Sequence, residues 1–346
     1  MKSLFLTLLL IANVAAAAQV NTPSDFVQPA DRWAGWVFQE ENDVFTQTNV
    51  DKYYTQGLRF SMTRNPLKNP KFVESFADWF LPKVGNPSAA RVWSVGIGQN
   101  LYTPDDITNP LPQLNERHWG AFLYADNMVQ LIDKNEEKFR HVFELQTGVI
   151  GPAAGGRFAQ STIHQLIGSA KPLGWSNQLK NEPGVNLIYE YDLRRSAKVG
   201  PLDVDVQPHA GGSLGTVMTY GSAGAIARLG KNNSGFLNGA LRATAFTQFD
   251  GNRPPWEIWV YAGAEGRAVG HNVFLSGGTF RQIPTEIETK RFVYDLLGGL
   301  SVRYRRWRLT YNLVRRGPEF THPLAIGNGR QEFGSIVFSV EKILPR

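Results

Sequence analysis

The sequence predicts an all-β fold, a transmembrane barrel of about twelve antiparallel strands with a short helix in one extracellular loop. Three observations carry that expectation. The first is alternation: apolar and polar residues follow a period of two over long segments, while helical periodicity is scarce. The second is composition. The chain has 346 residues, no cysteine, 34 glycines and 12% aromatics. Such a mixture suits a closed sheet that needs no disulfides and carries aromatic girdles at two interfaces. The third is export. The opening stretch MKSLFLTLLLIANVAAAAQV joins Lys2, a short apolar run from Leu4 to Val14, and Ala16-Ala17-Ala18 as a small-residue cleavage site. That run is too short to span a bilayer. Residues 1–18 are therefore expected to be a signal peptide, and residues 19–346 a single outer-membrane barrel domain.

Twelve segments fit the strand template: 33–45, 52–64, 90–101, 118–133, 137–150, 184–196, 202–216, 218–230, 255–271, 289–303, 305–316 and 330–343. In 33–45 the lipid face is expected to be Ala34, Trp36 and Phe38, with Gln39, Glu41 and Asp43 facing inward. In 52–64, Leu58, Phe60 and Met62 oppose Thr55, Gly57, Arg59 and Ser61. In 90–101, Trp93, Val95 and Ile97 oppose Ser94, Gly96 and Gly98. In 255–271, Ile258, Val260, Ala262 and Ala264 oppose Glu257, Glu265 and Arg267. Near the end, Ile336, Phe338 and Val340 oppose Ser335, Ser339 and Glu341. Some joins are tight, at 133–137 and 303–307. Others are long: 65–90, 102–117, 151–183, 231–254 and 272–288. Short turns on one side and long loops on the other are expected.

Alternation alone also describes a soluble sandwich, with its apolar face turned inward. Segments of ten or more residues favour a tilted membrane crossing instead. A passive channel or adhesin would share the barrel. The inward set Arg59, Glu144, Glu190, Glu257, Glu265 and Arg267 is expected to knit into a network that plugs the lumen, which argues against an open pore. The formal charge of +6 suits an anionic partner but excludes little, and no nucleic-acid partner is expected.

Two places carry chemistry. One is QEENDVF, residues 39–45, followed across a short loop by Tyr54-Thr55. Alternation puts Thr55 on the lumen face, so Asp43 and Thr55 become neighbours at one rim. Carboxylate, amide and hydroxyl oxygens together suit a hard cation, Ca²⁺ above others; an Asn-Asp pair at a strand end equally suits a plain turn. The other place is the loop 151–183, where 157–167 spans roughly three helical turns. Gln160 and His164, four apart, share a face there, with Ile163 and Ile167 beside them. Such a helix would present His164 toward the barrel wall, although a lone histidine also serves structural ends. Arg157 and Lys171 suit a phosphate or plain solvent.

At these residues the chain resembles the outer-membrane lipid A 3′-O-deacylases of the LpxR type. The resemblance rests on Asn42-Asp43 in ENDVF, Tyr54-Thr55-x-Gly57, and the segment from Gly148 to Gly156 followed by Gln160, His164, Gly168, Trp175 and Gln178. GQNLYTP (98–104) and Glu116-Arg117 add support. It implies a twelve-stranded barrel and a calcium-dependent esterase working as phospholipases A2 do. By position it implies His164 as the base. Asn42, Asp43 and Thr55 would build the cation and catalytic site, with Asn42 and Asp43 as metal ligands. Gln160 would orient water or lipid. The implied partner is lipid A or lipopolysaccharide in the outer leaflet, and a monomer is expected. Two positions depart from the family pattern. Ile107-Thr108-Asn109 stand where it has a lysine, and Ser169-Ala170-Lys171 where it has an acidic residue after the histidine.

Overall fold

The computed structural model describes residues 25–46, 52–85, 88–133, 138–233, 235–237, 248–249, 254–321 and 330–344. The expected signal peptide lies outside these residues. Twelve long strands form one antiparallel sheet: β1 Trp33–Asn42, β2 Tyr53–Arg64, β3 Ala90–Thr103, β4 Gly120–Ile132, β5 Phe139–Ile150, β6 Glu182–Leu193, β7 Leu202–Gly215, β8 Met218–Lys231, β9 Trp256–Asn272, β10 Phe292–Tyr304, β11 Trp307–Arg316 and β12 Gln331–Glu341. Each pairs with its neighbour in sequence, and β12 pairs back onto β1, so the sheet closes. Closure removes both edges and satisfies the backbone polar groups without disulfides. A short strand, Arg195–Val199, pairs with the lower half of β7.

The side chains settle sandwich against barrel. Leu58, Phe60, Ile97, Leu187, Leu214, Val260 and Leu296 stand exposed on the outer surface, while Arg59, Ser61, Asn186, Ser213 and Asp295 beside them on the strands are buried. Inside, the expected network forms. Arg59 reaches Asp126 at 2.9 Å and Glu144 at 3.3 Å. Glu257 pairs with Arg303 at 3.1 Å and Arg308 at 2.8 Å, and Asp295 with Arg267 at 2.8 Å and Arg316 at 2.9 Å. Apolar plugs close both ends. Val27, Ala34, Val92, Ile132 and Phe236 pack together at the rim that holds both ends of the sheet. Tyr54, Tyr102, Phe274 and Phe333 pack at the opposite rim, where Tyr102 and Phe274 stack at 3.9 Å. The rim at the start of β1 and end of β12 is called lower here, and the other upper.

Two expectations are corrected. Ala34 does not face lipid. The register of β1 against β2 shifts between Trp33 and Gly35, and the extra residue turns Ala34 into the lower plug. Nor are the long joins confined to one side, since those after β2 and β8 lie at the lower rim. Helix α1, Lys71–Phe80, explains the first of them. Its Phe72 meets Trp93, and Phe76 and Phe80 meet Phe143, all on the outer wall. Trp79 stays exposed. An amphipathic helix with this aromatic face packs at a membrane interface.

Candidate active site at the upper rim

The upper ends of β1, β2 and β3 carry the oxygens. β1 stops at Asn42, whose side-chain oxygen accepts from Val44 N–H at 2.9 Å and caps a turn of 3₁₀ helix, Asp43–Phe45. That turn rotates Asp43 off the strand alternation. Its Oδ2 accepts from the Lys52 backbone N–H at 2.8 Å, clamping the β1–β2 join, and the residue is 2% exposed. Asn42 lies opposite Gln56 of β2.

Thr55 is where simple alternation fails. The β2–β3 register jumps between Tyr54 and Gln56, leaving Thr55 as the extra residue of a bulge. A bulge of one residue flips the side-chain phase. Tyr54 thus points into the lumen and donates to Glu41 Oε2 at 2.5 Å. Thr55 instead joins the Thr103 hydroxyl at 2.7 Å. Thr103 shares a face of β3 with Leu101, which is buried with Trp119, Ala121, Ala154 and Trp175 on the outer side of the wall. The lumen-facing expectation for Thr55 is therefore wrong, and the bulge is the reason. Asn42, Thr55 and Gln56 share the outer side.

That outer side is where the loop between β5 and β6 leans. It contains α2, Gly156–Ile167. Gly155 enters the helix in a left-handed conformation at φ +72°, which glycine adopts without a Cβ clash. At Gly156 an added Cβ would lie 2.6 Å from Ala121 Cβ and from the Trp175 ring, so the helix touches the wall there. Gln99 of β3 donates to the Ala154 carbonyl at 2.6 Å and pins the loop from the other flank.

Along the helix, Gly156, Gln160 and His164 form the buried face. Gln160 is 1% exposed and its carbonyl accepts from Trp175 Nε1–H at 2.7 Å. His164 is 7% exposed, and its Nδ1 lies 2.5 Å from the Ala170 carbonyl. A carbonyl only accepts, so Nδ1 carries the proton and Nε2 is the basic nitrogen. Outward the helix exposes large apolar side chains, Phe158 at 77%, Leu166 at 80% and, in its last turn, Ile167 at 60%, beside the exposed polar Arg157, Thr162 and Gln165. Burying Gln160 and His164 against the wall while exposing Phe158, Leu166 and Ile167 departs from the order of a water-soluble helix. Surroundings of lipid account for that order.

The structure thus brings Asn42, Asp43 and Thr55 to one rim, and sets Gln160 and His164 on a helix crossing the adjoining strands of the same rim. The departures are visible too. Of the stretch Ile107-Thr108-Asn109, Ile107 is buried in the cluster beneath α2. Lys52 occupies the rim as a cation paired with Asp105 at 3.0 Å. Sequence reasoning passed over Gln99 and Thr103, whose signal would have been their shared parity with Leu101. The donors Asn42 and Asp43 are oxygens, the kind a hard cation prefers. Among the described residues no three of His, Cys, Asp and Glu gather as a metal cluster. A cation here would keep few protein ligands and fill its remaining positions from water and substrate.

Comparison with known proteins places the fold. LpxR from Salmonella typhimurium superposes with a TM-score of 0.69 at 21% identity, over 89% of this chain and 99% of that one. The β domain of the Bordetella autotransporter BrkA gives 0.42 at 8% identity, over 90% and 99%. The translocator domain of NalP from Neisseria meningitidis gives 0.36 at 9%, over 92% and 91%. A search of curated proteins finds no match. The family model described as "Outer membrane protein LpxR" matches residues 4–342, and the chain belongs to that family of outer-membrane proteins.

Proposed function

We propose that this protein is a lipid A deacylase that hydrolyses an ester-linked acyl chain, the 3′-O-linked one, at the outer leaflet. Family membership supports lipid A as substrate. The observation that carries the reading is helix α2. It holds a histidine with a defined tautomer between helix and wall while exposing Phe158, Leu166 and Ile167 outward, an order that suits a lipid environment.

His164 Nε2 takes a proton from water as the water oxygen attacks the acyl carbonyl carbon. The ester C–O bond then breaks, and the imidazolium returns that proton to the departing sugar oxygen. Fatty acid and a free sugar hydroxyl result. The Ala170 carbonyl holds the ring orientation through both transfers. Gln160, its oxygen engaged by Trp175, would orient water or lipid. Thr55 sits with Thr103 where the acyl carbonyl would approach. Asn42 and Asp43 would hold Ca²⁺, which when bound supplies positive charge for the developing oxyanion.

The test is mass spectrometry of lipid A incubated with folded, detergent-solubilised protein and Ca²⁺. Loss of one acyl chain is expected. His164→Ala should lower the rate by about 10² to 10⁴, the usual worth of a general base. Chelation should abolish turnover, and Asp43→Asn should raise the Ca²⁺ concentration needed. A His164→Ala protein as fast as the parent would remove the base, and turnover in chelator would remove the ion.

A further inference from the structure

Helix α1, on the outer wall at the lower rim, carries charge as well as rings. Phe72 is 55% exposed and Trp79 60%. They lie two helical turns apart and share one outward stripe. The carboxylates of the helix are already neutralised, since Glu74 and Asp78 both pair with Arg91 at the start of β3, Asp78 at 2.6 Å. Asp31, just before β1, pairs with Lys342 at 2.7 Å and feels Lys68 more weakly. Arg32, Arg64, Lys68, Lys71 and Lys83 belong to the same rim, and none of them forms an ion pair among the described residues. The free charge here is therefore positive.

These cations stand beside indole rings. Arg32 and Arg64 lie over Trp33 at 5.6 and 5.7 Å, and Lys83 lies over Trp79 at 3.2 Å. Tryptophan and long cationic side chains gather where hydrocarbon meets headgroups, the stem along apolar surface and the charge at the phosphate level. Lys68 and Asn69 join the two clusters. Arg64 Nε–H donates to the Lys68 carbonyl at 3.2 Å, and the Asn69 amide donates to Glu74 at 3.0 Å. One band thus runs from Trp33 on β1 along α1, which rests on Trp93 of β3 and Phe143 of β5.

Exposed rings edged by unpaired cations match a bilayer surface of anionic headgroups. We propose that this band binds anionic phospholipid, with phosphates on Arg64, Lys68, Lys71 and Lys83 and acyl chains against Phe72 and Trp79. A zwitterionic headgroup would satisfy the rings, but its own ammonium would offset the phosphate that the cations need. The lipid A site proposed at the upper rim puts the lower rim in the opposite, phospholipid leaflet. That choice of leaflet rests on the deacylase reading; the preference for negative charge does not.

The test is lipid exchange around the protein reconstituted in vesicles, read as quenching of tryptophan fluorescence by brominated acyl chains. Brominated phosphatidylglycerol is the anionic probe and brominated phosphatidylcholine the zwitterionic one. In the part of the signal that Trp79→Phe removes, the parent should favour phosphatidylglycerol at least about fivefold. Lys68→Gln, Lys71→Gln and Lys83→Gln combined should bring that ratio near one, whereas arginine at the same three positions should keep it. Salt at about 1 M should shrink the parent's ratio. Both triple variants should fold, by gel shift, and deacylate at the parental rate. Equal affinity for the two lipids in the parent, or an undiminished ratio in the glutamine variant, overturns the proposal. So does a ratio that falls only with Arg157→Gln and Lys180→Gln at the upper rim. Preference for phosphatidylglycerol by a protein that removes no acyl chain would sink the deacylase reading and leave the band standing.

Discussion

Glu319 shows how single charges hold the upper rim together. It lies just beyond β11, 4% exposed, and its Oε2 accepts from Arg117 at 2.5 Å and Gln331 at 2.8 Å. Burial works against its charge, but Arg117 and Arg316 outweigh it and hold the carboxyl below the usual carboxylate range. A carboxyl with a depressed folded pKa adds stability that is complete above its unfolded pKa. That stability drains away as pH falls through the folded value. The rim should therefore be firm at neutral pH and loosen in acid. Glu319→Gln should cost about 3 kcal/mol at pH 7, because it strands a buried guanidinium. Its thermal midpoint should also change less than the parent's between pH 7 and pH 3. Midpoints followed by the gel shift of the folded barrel would check both. A parent midpoint that rises on acidification would contradict the assignment. Nothing in the sequence around Glu319 marks it, since its partner Arg117 is 202 positions away along the chain.

Helix α2 works as a unit whose distance from the wall is set at one position. A leucine at 156 would drive its Cβ into Ala121 and Trp175 and lift the helix, carrying Gln160 and His164 off the strands. Displacements near 1 Å can cost about a hundredfold in rate. Gly156→Leu should lose about that much turnover while the barrel still folds, measured as lipid A hydrolysis beside the gel shift. A variant with parental turnover would show that the wall contact does not position the base. The helix was legible in the sequence. Glycines bracketed it, and Gln160 and His164 fell four apart on one face. Thr55 was not, because a bulge is an insertion relative to a partner strand, and alternation within β2 alone holds no record of register. Ala34 failed for the same reason. The Asn42-Asp43 pair was found, and of its two plausible uses the turn is visible. Asn42 caps the turn that rotates Asp43.

At the scale of the whole molecule, the strand count and most strand limits followed from period two, because lipid outside and charge inside enforce strict alternation over each crossing. The distribution of loops did not follow, because a join's length does not say which rim it serves. The same outside-in polarity bears on whether the barrel is a pore. A barrel of sixteen or more strands leaves an aqueous channel, whereas smaller ones fill with side chains. Here the ion-paired lumen retains a cavity of about 140 Å³ lined by Glu41, Arg59, Arg267, Asp295 and Arg316. Phe274 and Phe333 line it toward the upper rim, and the cluster with Phe236 packs at the lower rim. The pairs that fill it cannot be swept aside cheaply, since Arg59, Arg267, Asp295 and Arg316 are each held by a partner of opposite sign. The chain should therefore pass no current. Reconstituted in a planar bilayer, it should show no stepwise conductance at any salt concentration, while the same preparation removes acyl chains from lipid A. Openings whose size grows with salt would mean that the plugs move. The lumen, and not the groove outside the wall, would then be the place to look for function.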